Sequence, residues 1–209
     1  MSYNEAMRKI VVSEFISLDG VVQAPGGAQE DLDGGFRHGG WSMPYFDPEV
    51  MGPSIGEAMA TTDALLFGRR TYQTMAAAWP ERAGDEFADE LNAMKKYVAS
   101  RTFSESDVTW HNTSLLTGET VMADIRRLKG ETGGDISVMG SAQLVTQLIA
   151  DGLVDEYRLM IEPIILGGGK RIFPEDTWAR PLQLVSVATA STGVLVCTYR
   201  PGSPPVGDE

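Results

Sequence analysis

Apolar and polar positions alternate along this chain with two periods. Ile10 to Leu18 is rich in β-branched and apolar residues and predicts a first strand, closed by the turn pair Asp19-Gly20 and resuming at Val21-Val22. Ala64-Leu65-Leu66-Phe67 is a short continuous apolar run, as expected of a strand buried on both faces. Gly68 breaks it, and a helix is expected from Thr71. Further strands are expected at Tyr97–Ser100, Val108–His111, Ile136–Met139 and Tyr157–Ile165. Helical spacing places Val121, Ile125 and Leu128 on one stripe of Glu119–Lys129. It likewise places Leu144, Val145, Leu148 and Ile149 on the buried face of a helix capped by Ser141 and stopped by Gly152. Asp47-Pro48 reads as an N-cap with proline at the first helical position, the helix running to about Thr61. Leu182–Ala188 and Val194–Tyr199 pair as a hairpin over Ser191-Thr192-Gly193. Alternating strands and helices require crossovers. The expected fold is therefore α/β, with a mostly parallel sheet and an antiparallel C-terminal hairpin. One domain is expected over residues 9–200, with a disordered leader (1–8) and tail (201–209).

One stretch breaks the pattern. Ala24 to Trp41 carries Gly26, Gly27, Gly34, Gly35, Gly39 and Gly40 among few apolar residues, and Trp41, Tyr45 and Phe46 follow at once. Long loops inside compact domains are often functional, so Gly34–Trp41 is expected to close over a ligand.

Composition narrows the partners. The chain has 209 residues and a formal net charge of −12, which disfavours a nucleic-acid partner. No apolar run reaches the ~20 residues a membrane helix needs. Cys197 is the sole cysteine, so neither an internal disulfide nor a cysteine-based zinc site is expected. His38 and His111 stand far apart, and no metal is expected. These features fit a cytoplasmic protein acting on a small molecule.

The candidate chemistry lies in two strand–glycine–helix junctions, Leu65-Leu66-Phe67-Gly68-Arg69-Arg70-Thr71-Tyr72 and Val138-Met139-Gly140-Ser141-Ala142-Gln143-Leu144. Glycine admits a ligand close to the backbone, and free N–H groups at a helix start favour anions. Two such junctions, one carrying an arginine pair, point to a ligand with several phosphates. Gly167-Gly168-Gly169-Lys170 fails as a P-loop: position 164 is Ile164 rather than glycine, and Arg171 stands where Ser or Thr is needed. No GxGxxG follows the first strand. Asp19, Asp47 and Glu162 are the acidic candidates; turn and capping roles also account for Asp19 and Asp47.

Taken together these segments resemble the dihydrofolate reductase superfamily, and within it the reductase domain of the bacterial riboflavin-pathway deaminase–reductase. The resemblance spans about Lys9 to Tyr199. It rests on Ser17-Leu18-Asp19-Gly20, Phe67-Gly68-Arg69-Arg70-Thr71-Tyr72, Val98-Ala99-Ser100-Arg101 and the Gly140 junction, and also on Gly152-Leu153-Val154-Asp155-Glu156 and Glu162-Pro163-Ile164-Ile165-Leu166-Gly167. It implies a three-layer α/β/α reductase that uses NADPH on a planar heterocycle and forms a homodimer. A deazaflavin-dependent enzyme and a non-catalytic nucleotide-binding module are the alternatives. By resemblance, Gly68, Arg69, Arg70, Thr71, Ser100, Arg101, Met139, Gly140, Ser141, Ala142, Gln143 and Leu144 hold the cofactor, and Phe15 and Val22 flank its nicotinamide. Asp19, Trp41 and Met160 then face the substrate, and Asp47 or Tyr45 supplies a proton. Met160 stands where dihydrofolate reductases usually carry threonine, and Ser141 replaces the second glycine of their pair.

Overall fold

The computed structural model describes residues 7–204. The rest of the expected leader and tail lies outside the described residues. Eight strands form one sheet in the order β4-β3-β2-β5-β1-β6-β8-β7. β1 (Ile10–Ser17), β2 (Thr62–Gly68), β3 (Lys95–Ser100), β4 (Thr113–Thr117), β5 (Asp135–Met139) and β6 (Glu156–Glu162) run parallel. β7 (Leu182–Thr189) and β8 (Leu195–Pro201) add the antiparallel hairpin, β8 pairing with β6.

Alternation within the strands sorts side chains to two layers. Ile10, Val12 and Ile16 of β1, Leu66 of β2 and Ile136 and Val138 of β5 lie in one core. α4 (Val121–Lys129) covers it with Ile125 and Leu128, and α5 (Ala142–Ala150) with Val145 and Leu148. Leu65, Phe67 and Val98 face the other way, against Met59 of α1 (Met51–Thr61) and Tyr72 of α2 (Arg69–Ala78). α3 (Glu86–Ala93) adds Leu91 to that second layer. Each fully buried Leu or Ile stabilises the fold by roughly 1.5–3 kcal/mol before entropy is charged.

Three expectations change. The fourth strand is Thr113–Thr117, not Val108–His111. The Tyr72 hydroxyl accepts the N–H groups of Thr109 (3.0 Å) and Trp110 (2.8 Å), which holds that segment as a loop over Phe67. α1 starts at Met51, because Pro48–Val50 form only a turn whose carbonyls begin the helical bonding. Ser141 does not cap α5 with its side chain: it sits in the left-handed region at φ 70°, ψ 65°. Near the N-terminus, Arg8 is buried and pairs with Asp63.

Candidate functional site

β2 and β5 are neighbours, yet the helices that follow them leave on opposite faces: α2 packs in the layer with Leu65 and Phe67, α5 in the layer with Leu66 and Val138. Such a reversal opens a crevice beyond the carboxyl ends of the strands, where open α/β sheets bind ligands. Both glycine junctions meet there. The Gly68 N–H donates to Ser141 Oγ at 2.6 Å, and a Cβ on Gly68 would lie 2.8 Å from that oxygen. Gly140 adopts φ 72°, and a Cβ there would meet Thr71 Cγ2 at 3.0 Å. Only glycine takes both that conformation and that approach without strain. Ala142, Gln143 and Leu144 form the first turn of α5, whose N–H groups precede any helical acceptor. Met139 is half-buried in the α1–α2 layer.

The expected cations divide. Arg69 is half-exposed at the start of α2, and among the described residues it enters no ion pair. Arg70 instead pairs with Asp33 in the glycine-rich loop, where Lys170 lies 3.1 Å from the same carboxylate. Ser100 is engaged in its own turn, accepting the N–H groups of Thr102 (3.2 Å) and Phe103 (3.0 Å). Arg101 beside it is exposed.

A second cluster lies on the α1 face. Phe15 and Met160 are cross-strand partners on β1 and β6 and pack with Tyr45, Val50 and Met51, and with Val194 and Val196 from the hairpin. Val22 is buried on the other face, in the α5 core. Phe15, Tyr45 and Met160 are thus brought together, whereas Val22 is not beside them.

The remaining expected residues are held by structural bonds. Asp47 Oδ2 accepts the Ser191 N–H (2.9 Å) and hydroxyl (2.7 Å), and Oδ1 accepts the Glu49 N–H (3.0 Å). The Ser191 bonds hold its carboxyl below the usual carboxylate range, so it carries no proton to give near neutrality. Burial alone would raise Asp19. Bonds from Ser17, Leu166, Gly167 and Arg171 outweigh it and hold the pKa at about 2, so Asp19 locks the Gly167 turn. Trp41 is not an open lid: it is buried with Val21, Ala24 and Phe36, its indole N–H donating to the Gln23 carbonyl at 2.8 Å. The glycine-rich loop is a small packed layer of its own.

Two buried carboxyls stand beside these candidates. Glu162 is fully buried at the end of β6; Oε1 accepts the Ser42 hydroxyl (2.7 Å) and Oε2 the Ile16 N–H (3.1 Å), and burial raises its pKa to about 7. Glu14 lies under the second junction, Oε1 accepting the Gly140 N–H at 3.1 Å, and burial raises it to about 8. Sequence reasoning named Glu162 and missed Glu14. The signal for Glu14 was a lone charge inside an apolar strand. Among the described residues there is no cluster of metal-ligating side chains, and no helix is long and apolar enough to cross a membrane. A cavity of about 400 Å³, lined by Ala150, Asp176, Trp178, Ala179 and Arg180, lies at the far end of α5, away from both junctions.

The sheet order defines a dihydrofolate reductase-like α/β fold. Within that class, residues 8–196 match the RibD C-terminal domain, and the chain belongs to that family. It is 30% identical over 205 residues to the uncharacterised protein YyaP of Bacillus subtilis (strain 168), covering 95% of this chain and 98% of that protein. Among solved structures it resembles a Shewanella sp. PV-4 protein provisionally described as a riboflavin biosynthesis protein (TM-score 0.67, 19% identity, 93% of this chain and 99% of that one). It also resembles dihydrofolate reductase from Enterococcus faecalis complexed with NADP(H) (TM-score 0.57, 15% identity, 93% and 97%). A third likeness is to a diaminohydroxyphosphoribosylaminopyrimidine deaminase/5-amino-6-(5-phosphoribosylamino)uracil reductase from Thermotoga maritima (TM-score 0.59, 14% identity, 94% and 57%).

Proposed function

We propose that this protein is an NADPH-dependent reductase acting on a small planar heterocycle of the pterin or aminopyrimidine kind. The observation that carries this reading is the contact between the two glycine junctions at the reversal of the sheet. The residues present suit a dinucleotide. Gly68 and Gly140 let the two junctions pack closely, Gly68 against Ser141 and Gly140 against Thr71, the first turn of α5 offers N–H groups, and Arg69 is a cation without a carboxylate partner among the described residues. Family membership and the NADP(H) of the similar reductase support the same cofactor. When bound, NADPH supplies a hydride.

The protein's own part is orientation and proton supply. Phe15, Tyr45 and Met160 offer an apolar surface for a flat ring. Glu162, with a pKa of about 7, keeps a proton in reserve beneath Ser42 near neutrality, where Asp47 keeps none. We also read the chain as a homodimer. Leu184, Val185 and Val187 on the edge strand β7 are 46–54% exposed, and an uncovered apolar edge invites a second copy.

The test is NADPH oxidation against a panel of pterin, pyrimidine and quinone acceptors, followed by loss of nicotinamide absorbance. Turnover with a nitrogen heterocycle is expected. NADPH binding with no turnover on any acceptor would instead indicate a nucleotide-binding module, and a bound chromophore with deazaflavin absorption a different cofactor.

A further inference from the structure

Glu14 is the one charged residue of β1. Ser13 is in register with Met139 across β5, so the next position brings Glu14 beside Gly140, whose N–H it accepts at 3.1 Å. On its other side it is paired with Leu159 of β6. It shares the face of Val12 and Ile16, under α5, and is only 7% exposed. Among the described residues the Gly140 amide is the one hydrogen-bond partner of its side chain.

Apart from the Gly140 N–H, no charged partner compensates a charge there. α5 carries no ionisable residue, and the Gly140–Ser141 turn carries none. On β6, Arg158 is paired with Glu156. From the segment after the triple glycine, Arg171 is held by Asp19 and Lys170 by Asp31 and Asp33. At the start of α2, Arg70 is held by Asp33, which leaves Arg69 to the ligand.

We propose that Glu14 is a positioning residue of the dinucleotide crevice: in its neutral form it fixes the Gly140 amide, and with it the left-handed Gly140–Ser141 pair, and its ionisation drives an anionic ligand out. This inference rests on reading the crevice as a dinucleotide site. A buried carboxylate against the strand end that faces a diphosphate places like charges in a medium of low dielectric. The bound state therefore retains the proton. Affinity is full while Glu14 is protonated and falls as pH rises through its pKa of about 8. At about pH 9 roughly one-tenth of the free protein is protonated, so NADPH binding weakens about tenfold from neutral pH. The 2′-phosphate, with a second pKa near ~6, is already ionised across this range.

The experiment titrates NADPH into wild type, Glu14→Gln and Glu14→Leu between about pH 7 and pH 9.5 by calorimetry. Carboxyl ¹³C NMR on the free protein follows Glu14 itself. Wild type is expected to lose about tenfold in affinity by about pH 9, with the Glu14 carboxyl titrating near 8. Glu14→Gln presents the same acceptor to Gly140 and is expected to stay within about twofold of wild type near neutrality, with a flat pH profile. Glu14→Leu removes the acceptor and is expected to bind several-fold more weakly at every pH; if it does not fold, Glu14→Gln alone decides. Lys96, which burial lowers to about 8 at the start of β3, and Glu162, raised to about 7, are common to all three chains and cancel when the profiles are compared. A wild-type profile as flat as that of Glu14→Gln, or an unchanged slope in Glu14→Gln, overturns the role of Glu14 while leaving the cofactor reading intact. No NADPH binding by wild type at any pH overturns both.

Discussion

Replacing Glu162 by Gln isolates the free energy of one buried carboxyl. The side chain is fully buried, and its two oxygens accept from Ser42 and Ile16. Gln is nearly isosteric with the protonated acid and keeps one carbonyl acceptor. Burial raises the folded-state pKa to about 7 from an ordinary value of 4.5. Between these values the unfolded chain has released the proton that the folded chain still holds. The contribution is therefore fully present below about pH 4.5 and is lost as pH rises through about 7. A shift of that size corresponds to roughly 3 kcal/mol across the window. Urea unfolding of both chains at a series of pH values measures it. Glu162→Gln is expected to gain about 3 kcal/mol on wild type between pH 4.5 and 7.5, and no more above that. Asp19, Asp33 and Asp176, whose folded pKa values are held at about 2, and Glu14, raised to about 8, are common to both chains and cancel in the difference. A difference constant within about 0.5 kcal/mol from pH 4.5 to 7.5 would refute the elevated pKa and the proton reserve built on it.

Gly140→Ala is expected to cost about 1–2 kcal/mol from the left-handed backbone, with additional crowding against Thr71, and to weaken NADPH binding; thermal melts and cofactor titration measure the two effects. Asp47→Ala is expected to lower Tm and to speed hydrogen exchange at the Ser191 amide, because it unties the hairpin turn; a variant with native exchange there and abolished turnover would restore Asp47 as the proton donor. Light scattering is expected to show a dimer at micromolar concentration and a monomer for Val187→Lys, and a monomeric wild type would remove the edge-strand argument.

The architecture was legible where periodicity was strong. The runs at Ile10–Leu18, Ala64–Phe67 and Ile136–Met139 became β1, β2 and β5, and the stripe of Val145, Leu148 and Ile149 became the buried face of α5. It failed where a tertiary bond decides. Val108–His111 has strand composition, but the Tyr72 hydroxyl holds its backbone amides. The glycine count of Ala24–Trp41 points to a loop that closes over a ligand, and the structure packs its Phe36 and Trp41 with Val21 and Ala24. The same holds for the site. The glycine junctions could be read as strand runs ending in glycine before a helix, although the neighbour that Gly68 accommodates, Ser141, is a tertiary one. The fates of Arg70, Ser100 and Asp47 depended on Asp33, the Thr102 and Phe103 amides and Ser191, partners that local pattern does not reveal. Glu14 is hard to recognise from the sequence because a charge in a strand is ordinarily a solvated one.

The central claim is that the Gly68 and Gly140 junctions, with Arg69, form an NADPH site. Titration of NADPH and NADH into wild type and Arg69→Ala tests it most directly. A charge-assisted bond from Arg69 to the 2′-phosphate is worth roughly 1.5–3 kcal/mol, so wild type is expected to prefer NADPH by about ten- to hundred-fold. Arg69→Ala is expected to lose that preference while binding NADH almost as wild type does. Equal losses for both cofactors, or no preference in wild type, would contradict the account.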